Sequence, residues 1–142
     1  MKFPEGITVF GDKDYRGDCP LEDADLITFF NQLRKKYPHL ADVALHIKNE
    51  GKRNVRQVQR DRAKGALNSG ASDIVIVGAP SFVCELKRKD HTKSTITAEQ
   101  VTFLGNAKEH GAFVCIALGW EAAIDAVGQY VVNNYFNEHG VI

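Results

Sequence analysis

Short apolar runs bounded by turn formers alternate along the chain with stretches of helical spacing, and the two patterns divide it into elements. Residues 72–77 (Ser-Asp-Ile-Val-Ile-Val) and 82–87 (Phe-Val-Cys-Glu-Leu-Lys) are apolar and β-branched, too short for helices, and set off by Gly70 and by Gly78, Ala79, Pro80 and Ser81. They predict an antiparallel hairpin. Alternation puts Val83, Glu85 and Lys87 on one face and Phe82, Cys84 and Leu86 on the other. A loop of residues 78–80 pairs Val77 with Ser81 and sets Asp73 opposite Glu85. Upstream, Pro20 opens a helix in which Leu21, Leu26, Phe29, Phe30 and Leu33 recur near helical spacing. Acidic residues fill its first turn, basic residues its last, and Tyr37-Pro38 stops it. Glu22 and Asp25 either complement the helix dipole there or look from one face of the helix toward the hairpin. Residues 43–47 predict a strand, and residues 54–67 a basic helix with a thin apolar stripe. Downstream, residues 97–100 have the form of a capping box and open a helix that ends at His110-Gly111. Residues 112–118 predict a buried strand, and Trp120, Ala123, Ile124, Val127 and Val131 make one helical stripe.

This order predicts an α/β domain with a mixed sheet and helices on both sides. Residues 1–20, with Gly and Asp clusters around one short strand-like run at residues 7–10, predict a loosely packed N-terminal arm; residues 21–142 form the single domain. No run approaches the roughly 20 apolar residues of a membrane span, and no basic-then-apolar leader follows Met1, so a cytoplasmic protein is expected. Cys19, Cys84 and Cys115 are odd in number and lack metal-ligand spacing, which points to reduced core thiols. Tyr130, Val131, Tyr135 and Phe136 exceed what one helical stripe needs; a homodimer interface or a better-covered core would each use them.

The formal net charge is zero, with 18 Lys and Arg against 18 Asp and Glu. The balance conceals a local excess. Lys52, Arg53, Arg56 and Arg60 precede the hairpin, and Arg88, Lys89 and Lys93 follow it, with few acids between. A solvated helix face explains the first group; the two groups together suit a surface for nucleic-acid phosphates.

The hairpin also carries the candidate chemistry. Two carboxylates held side by side repel, and such pairs share a proton or bind a cation. Mg²⁺ or Mn²⁺, which typically takes one or two carboxylates together with water and substrate oxygens, fits Asp73 and Glu85. Lys87 beside them can stabilise charge on a phosphate or help activate water. The plain alternative is an exposed strand with a Glu/Lys ladder.

Asp73, then Glu85-Leu86-Lys87, then Gln100 on the following helix resembles the PD-(D/E)xK nuclease signature. His46-Ile47-Lys48-Asn49-Glu50 resembles the His-x-x-Asn-Glu stretch of its VRR-NUC branch, and Lys64-Gly65 followed by Gly70-Ala71-Ser72-Asp73 resembles that branch's Gly-spacer-Gly-x-Pro-Asp, with Ser72 at the proline position. The likeness covers residues 21–127 and is to the small, free-standing members carried by phages. It implies a restriction-endonuclease-like fold and a divalent-metal-dependent DNA endonuclease. In that reading Asp73, Glu85 and the Leu86 carbonyl bind Mg²⁺ or Mn²⁺, with Glu22 supporting from the first helix. Lys87 orients or activates water and Gln100 steadies substrate or water. It further implies a preference for branched DNA such as a four-way junction, a homodimer, and residence in the cytoplasm of a bacterial host. The alternative is a nucleic-acid-binding module that keeps the fold and does not cleave; retention of Asp73, Glu85 and Lys87 speaks against it.

Overall fold

A computed structural model describes residues 1–48, 56, 59, 60, 63, 64 and 70–136, the side chains of Tyr135 and Phe136 excepted. Its centre is a five-stranded sheet of β1 (Thr8–Phe10), β2 (Ala44–His46), β3 (Ile74–Ile76), β4 (Phe82–Lys87) and β5 (Phe113–Leu118) in the order β1-β5-β4-β3-β2. The strands β2, β3 and β4 pair antiparallel; β4 with β5 and β5 with β1 pair parallel. The sheet is therefore mixed, as expected.

The hairpin has the register its loop length requires: Ile76 pairs with Phe82, Val75 with Val83 and Ile74 with Cys84. One step further along, Asp73 stands opposite Glu85. Because β4 is central and covered on both faces, every one of its six residues is buried, which excludes the exposed Glu/Lys ladder. Parallel strands buried on both faces read as continuous apolar runs, and β5 does so.

Each face of the sheet has its own core. On one, Phe82, Cys84, Leu86, Ile74 and Ile76 pack against α1 (Glu22–Lys36), the short α2 (Pro38–Ala41) and α4 (Trp120–Val131). Phe29 and Leu33 of α1 are wholly buried there, each contributing roughly 1.5–3 kcal/mol by transfer from water. Tyr130 packs tilted against Phe82 and edge-on against Phe113, with centroids 5.4 and 5.6 Å away, and its hydroxyl donates to the Pro80 carbonyl at 2.6 Å. The apolar excess read at Tyr130 and Val131 is thus consumed by the core, with 0% and 9% exposure, so these two residues offer no subunit face. On the other face, Val83, Val114, Ile116 and Leu118 pack under Leu104 of α3 (Ala98–Glu109). Cys84 and Cys115 face one another in register as free, buried thiols.

The N-terminal segment is more tightly held than its composition suggested. Instead of a loose arm, β1 is an edge strand on β5, and Met1, Phe3, Ile7 and Val9 pack against the second core. Its apolar residues are few, and the long-range ladder with β5 supplies the order that local pattern lacks. Arg56, Gln59, Arg60 and Ala63 are helical and exposed; the rest of the basic helix expected at residues 54–67, with Lys52 and Arg53, lies outside the described residues.

Candidate active site

Immediately before β3 begins, the carboxylate of Asp73 takes over the next rung of the ladder: its Oδ2 accepts the Leu86 N–H at 2.8 Å. Its main chain is fixed as well, since the Asp73 carbonyl accepts from the Ile47 N–H and from His46 Nδ1, each at 2.9 Å. His46 is therefore a positioning histidine. N–H and C=O of one strand residue point to the same neighbour, so the Leu86 carbonyl shares the side on which Asp73 sits.

Glu85 and Lys87 lie on the opposite face of β4 from Leu86, beneath the first turn of α3, with 1% and 4% exposure. The capping box on α3 is present, with Thr97 Oγ1 accepting the Gln100 N–H at 3.1 Å and Gln100 Oε1 accepting the Thr97 N–H at 2.9 Å. The same side chain faces the hairpin: Gln100 Oε1 also accepts from Lys87 Nζ at 3.3 Å, and Gln100 Nε2 donates to Glu85 Oε1 at 3.1 Å. Lys87 Nζ is 3.5 Å from that Glu85 oxygen. A Cβ on Gly70 would collide with the Glu99 carbonyl, so the segment entering β3 runs directly against this turn. The first turn of α3 thereby connects Glu85, Lys87 and Gln100, while Asp73 is fixed on the hairpin through Leu86.

The other oxygen of Glu85, Oε2, is buried and has no hydrogen-bond partner. Burial first, and then the neighbouring Asp73 charge, push the Glu85 carboxyl up to about 9, with Lys87 opposing. Without a cation this site holds a proton at neutral pH. Among the described residues no group of three or more His, Cys, Asp or Glu side chains is arranged to hold a metal. The donors on hand are two carboxylates and a strand carbonyl, a set that suits a cation retaining several waters.

Glu22 stands at the rim. It accepts from Ser94 Oγ at 3.3 Å and lines two hollows. One is a groove of about 380 Å³ that reaches Lys87, Lys93 and Gln100; the other, about 20 Å³, lies against His46, Asp73 and Leu86. The second basic cluster is largely engaged with the N-terminal segment. Arg88 donates to the carbonyls of Cys19 at 2.8 Å and Pro20 at 3.0 Å, Lys93 Nζ donates to Gly17 O at 2.8 Å, and Lys89 Nζ lies 4.4 Å from the Tyr15 ring centroid. All three hold the N-terminal segment in place, and Arg88 and Lys93 also line the groove. Sequence reasoning missed this engagement because its partners are backbone carbonyls roughly 70 residues away.

No family model matches this sequence, and no curated protein sequence matches it. A solved structure described as a VRR_NUC domain protein superposes with a TM-score of 0.63 at 19% identity, over 83% of this chain and 92% of that one. The fold is that of a VRR-NUC domain. The match covers nearly all of that domain, so β1 to β5 and the helices around them share its fold. Within this VRR-NUC fold the hairpin and the first turn of α3 are the parts that bring the buried polar residues together. No helix among the described residues is long and apolar enough to cross a membrane.

Proposed function

We propose that the chain is a divalent-metal-dependent DNA endonuclease that hydrolyses phosphodiester bonds. The observation that carries the reading is the partnerless Oε2 of Glu85, buried beside Asp73, Lys87 and Gln100. In the free protein a proton shared between Glu85 and Asp73 answers that oxygen and the repulsion between the two carboxyls; a divalent cation takes the proton's place when both are ionised. Asp73, Glu85 and the Leu86 carbonyl would hold Mg²⁺ or Mn²⁺, with Glu22 at the rim. Such a cation supplies Lewis-acid polarisation of a phosphoryl oxygen and neutralises charge in the transition state.

The protein's own groups do the rest. Lys87 directs its ammonium at the non-bridging oxygens of the scissile phosphate or at the attacking water. Gln100, anchored by the cap of α3, keeps Lys87 and Glu85 in one geometry and limits the reorganisation required during reaction. DNA lies along the groove of Glu22, Lys87, Lys93 and Gln100, with Arg56 and Arg60 exposed for phosphate contact. The resemblance to free-standing VRR-NUC proteins supports branched DNA, a four-way junction in particular, as substrate, cut by a homodimer whose two sites act on two strands. A dimer would have to use a surface other than Tyr130 and Val131.

Labelled four-way junctions, flaps, nicked and plain duplexes incubated in Mg²⁺, Mn²⁺ or EDTA test this reading. The expected result is cleavage with either metal, none in EDTA, and the fastest turnover on branched DNA. Binding without cleavage in both metals would move the chain to the non-cleaving alternative.

A further inference from the structure

A hollow of about 450 Å³ lies between α1 and β2, the last strand in the sheet order. Leu26, Ile27, Phe30 and Arg34 recur at helical spacing and line it from α1, beside the buried stripe of Phe29 and Leu33. Ala44 and His46, two residues apart on β2, line it from the sheet. Leu26, Phe30 and Ala44 make a floor packed on the first core, and the Phe30 ring meets the buried Phe29 ring edge-on with centroids 5.3 Å apart. Ile27, at the rim, is 65% exposed. The volume falls within the roughly 300–1,000 Å³ of small-molecule sites, whose linings are likewise apolar with a few polar groups at the edge.

The surroundings narrow the ligand. Leu26 and His46 also line the small hollow against Asp73 and Leu86, and Glu22 joins that hollow to the groove of Lys87, Lys93 and Gln100. Cationic groove, paired carboxylates and apolar pocket therefore follow one another. A nucleotide has the same order, a charged phosphate joined to a flat base with apolar faces and a polar edge. Arg34 brings guanidinium donors to the pocket; its Nη1 donates to Asn31 Oδ1 at 3.0 Å, and its Cζ lies 6.0 Å from the Phe30 centroid. His46 Nδ1 donates to the Asp73 carbonyl, which in the neutral ring leaves Nε2 as an acceptor for a base amino group. We infer that this pocket receives one unpaired nucleobase of the DNA strand held at Asp73 and Glu85, with Leu26 and Phe30 under its face and Arg34 and His46 at its edge. The inference rests on the reading of that site as one that cleaves phosphodiesters. It also gives a preference for branched DNA a physical source, because a base that is already unpaired costs least to take out of the stack.

Anisotropy titrations of the full chain in EDTA test the pocket without cleavage. The probe is a flapped duplex in which an abasic residue replaces each nucleotide around the branch point in turn. At one position wild-type affinity should fall by about fivefold or more, the share that stacking one base contributes. The double variant Ile27→Ser/Arg34→Ala changes only exposed positions; in it the same abasic residue should cost less than about twofold, because the variant no longer gains from the base. Equal wild-type affinity at every position, or a full penalty kept by the folded double variant, overturns the pocket. So does a wild-type dimer that becomes monomeric in the double variant with the penalty intact, which would make this surface a contact between copies. Cleavage of the intact flap by wild type in Mg²⁺ is scored separately. Its absence removes the nuclease reading, whereas a flat abasic scan with cleavage present removes the pocket alone.

Discussion

Glu85 and Asp25 are both 1% exposed, and each keeps one carboxylate oxygen without a donor. Their surroundings differ in kind. Asp25 is also raised by burial, but the Trp120 backbone N–H at the start of α4 offsets part of that cost. Glu85 has only side chains around it: Gln100 and Lys87 on one oxygen and the Asp73 carboxylate nearby. A carboxyl satisfied by main chain serves the architecture first. One raised to about 9 beside a second acid and a lysine costs stability in the free protein and invites a bound cation.

Removing the acids of the hairpin should have the largest effect. Asp73→Ala and Glu85→Ala are each expected to lower cleavage by about 10³-fold or more, several kcal/mol of lost charge stabilisation, with an unchanged circular dichroism spectrum. Full activity in either variant breaks the contrast with Asp25. Lys87→Met should reduce turnover by about 10²-fold while calorimetric metal binding persists, because the lysine serves phosphate or water and not the cation.

The pH dependence of stability sharpens the contrast. Below the ordinary value of 4.5 Glu85 is protonated in both folded and unfolded chains; between there and about 9 the unfolded chain has released the proton and the folded one retains it. Metal-free stability should therefore fall as pH rises through that window. Glu85→Gln should flatten the fall and melt above wild type at pH 8. Asp25→Ala should instead destabilise by about 1 kcal/mol, the cost of an absent cap, as read by denaturant melts. A stabilised Asp25→Ala protein would show that the tie to Trp120 contributes nothing.

Local pattern made the hairpin legible. Two-residue parity and a short loop fix which side chains share a face and which residues oppose, so Asp73 and Glu85 could be paired without coordinates. The capping box likewise located Gln100 in the first turn of α3, and packing of Gly70 on that turn brings it over the hairpin. Asp25 was read as an acid complementing its own helix because its partner is on α4, yet its spacing to Phe29 and Leu33 was a usable sign of burial. Nothing local marked Arg88 and Lys93 as clasps on residues 17–20, or joined a polar N-terminal segment to β5, since those contacts cross most of the chain.

The central claim is that the free oxygen of Glu85 faces a cation. Crystals of the protein grown with Mn²⁺ and measured at the manganese edge test it most directly. The account predicts one anomalous peak about 2–2.6 Å from carboxylate oxygens of both Asp73 and Glu85, absent in Glu85→Ala crystals. A map with no peak between those carboxylates at saturating Mn²⁺ would contradict it.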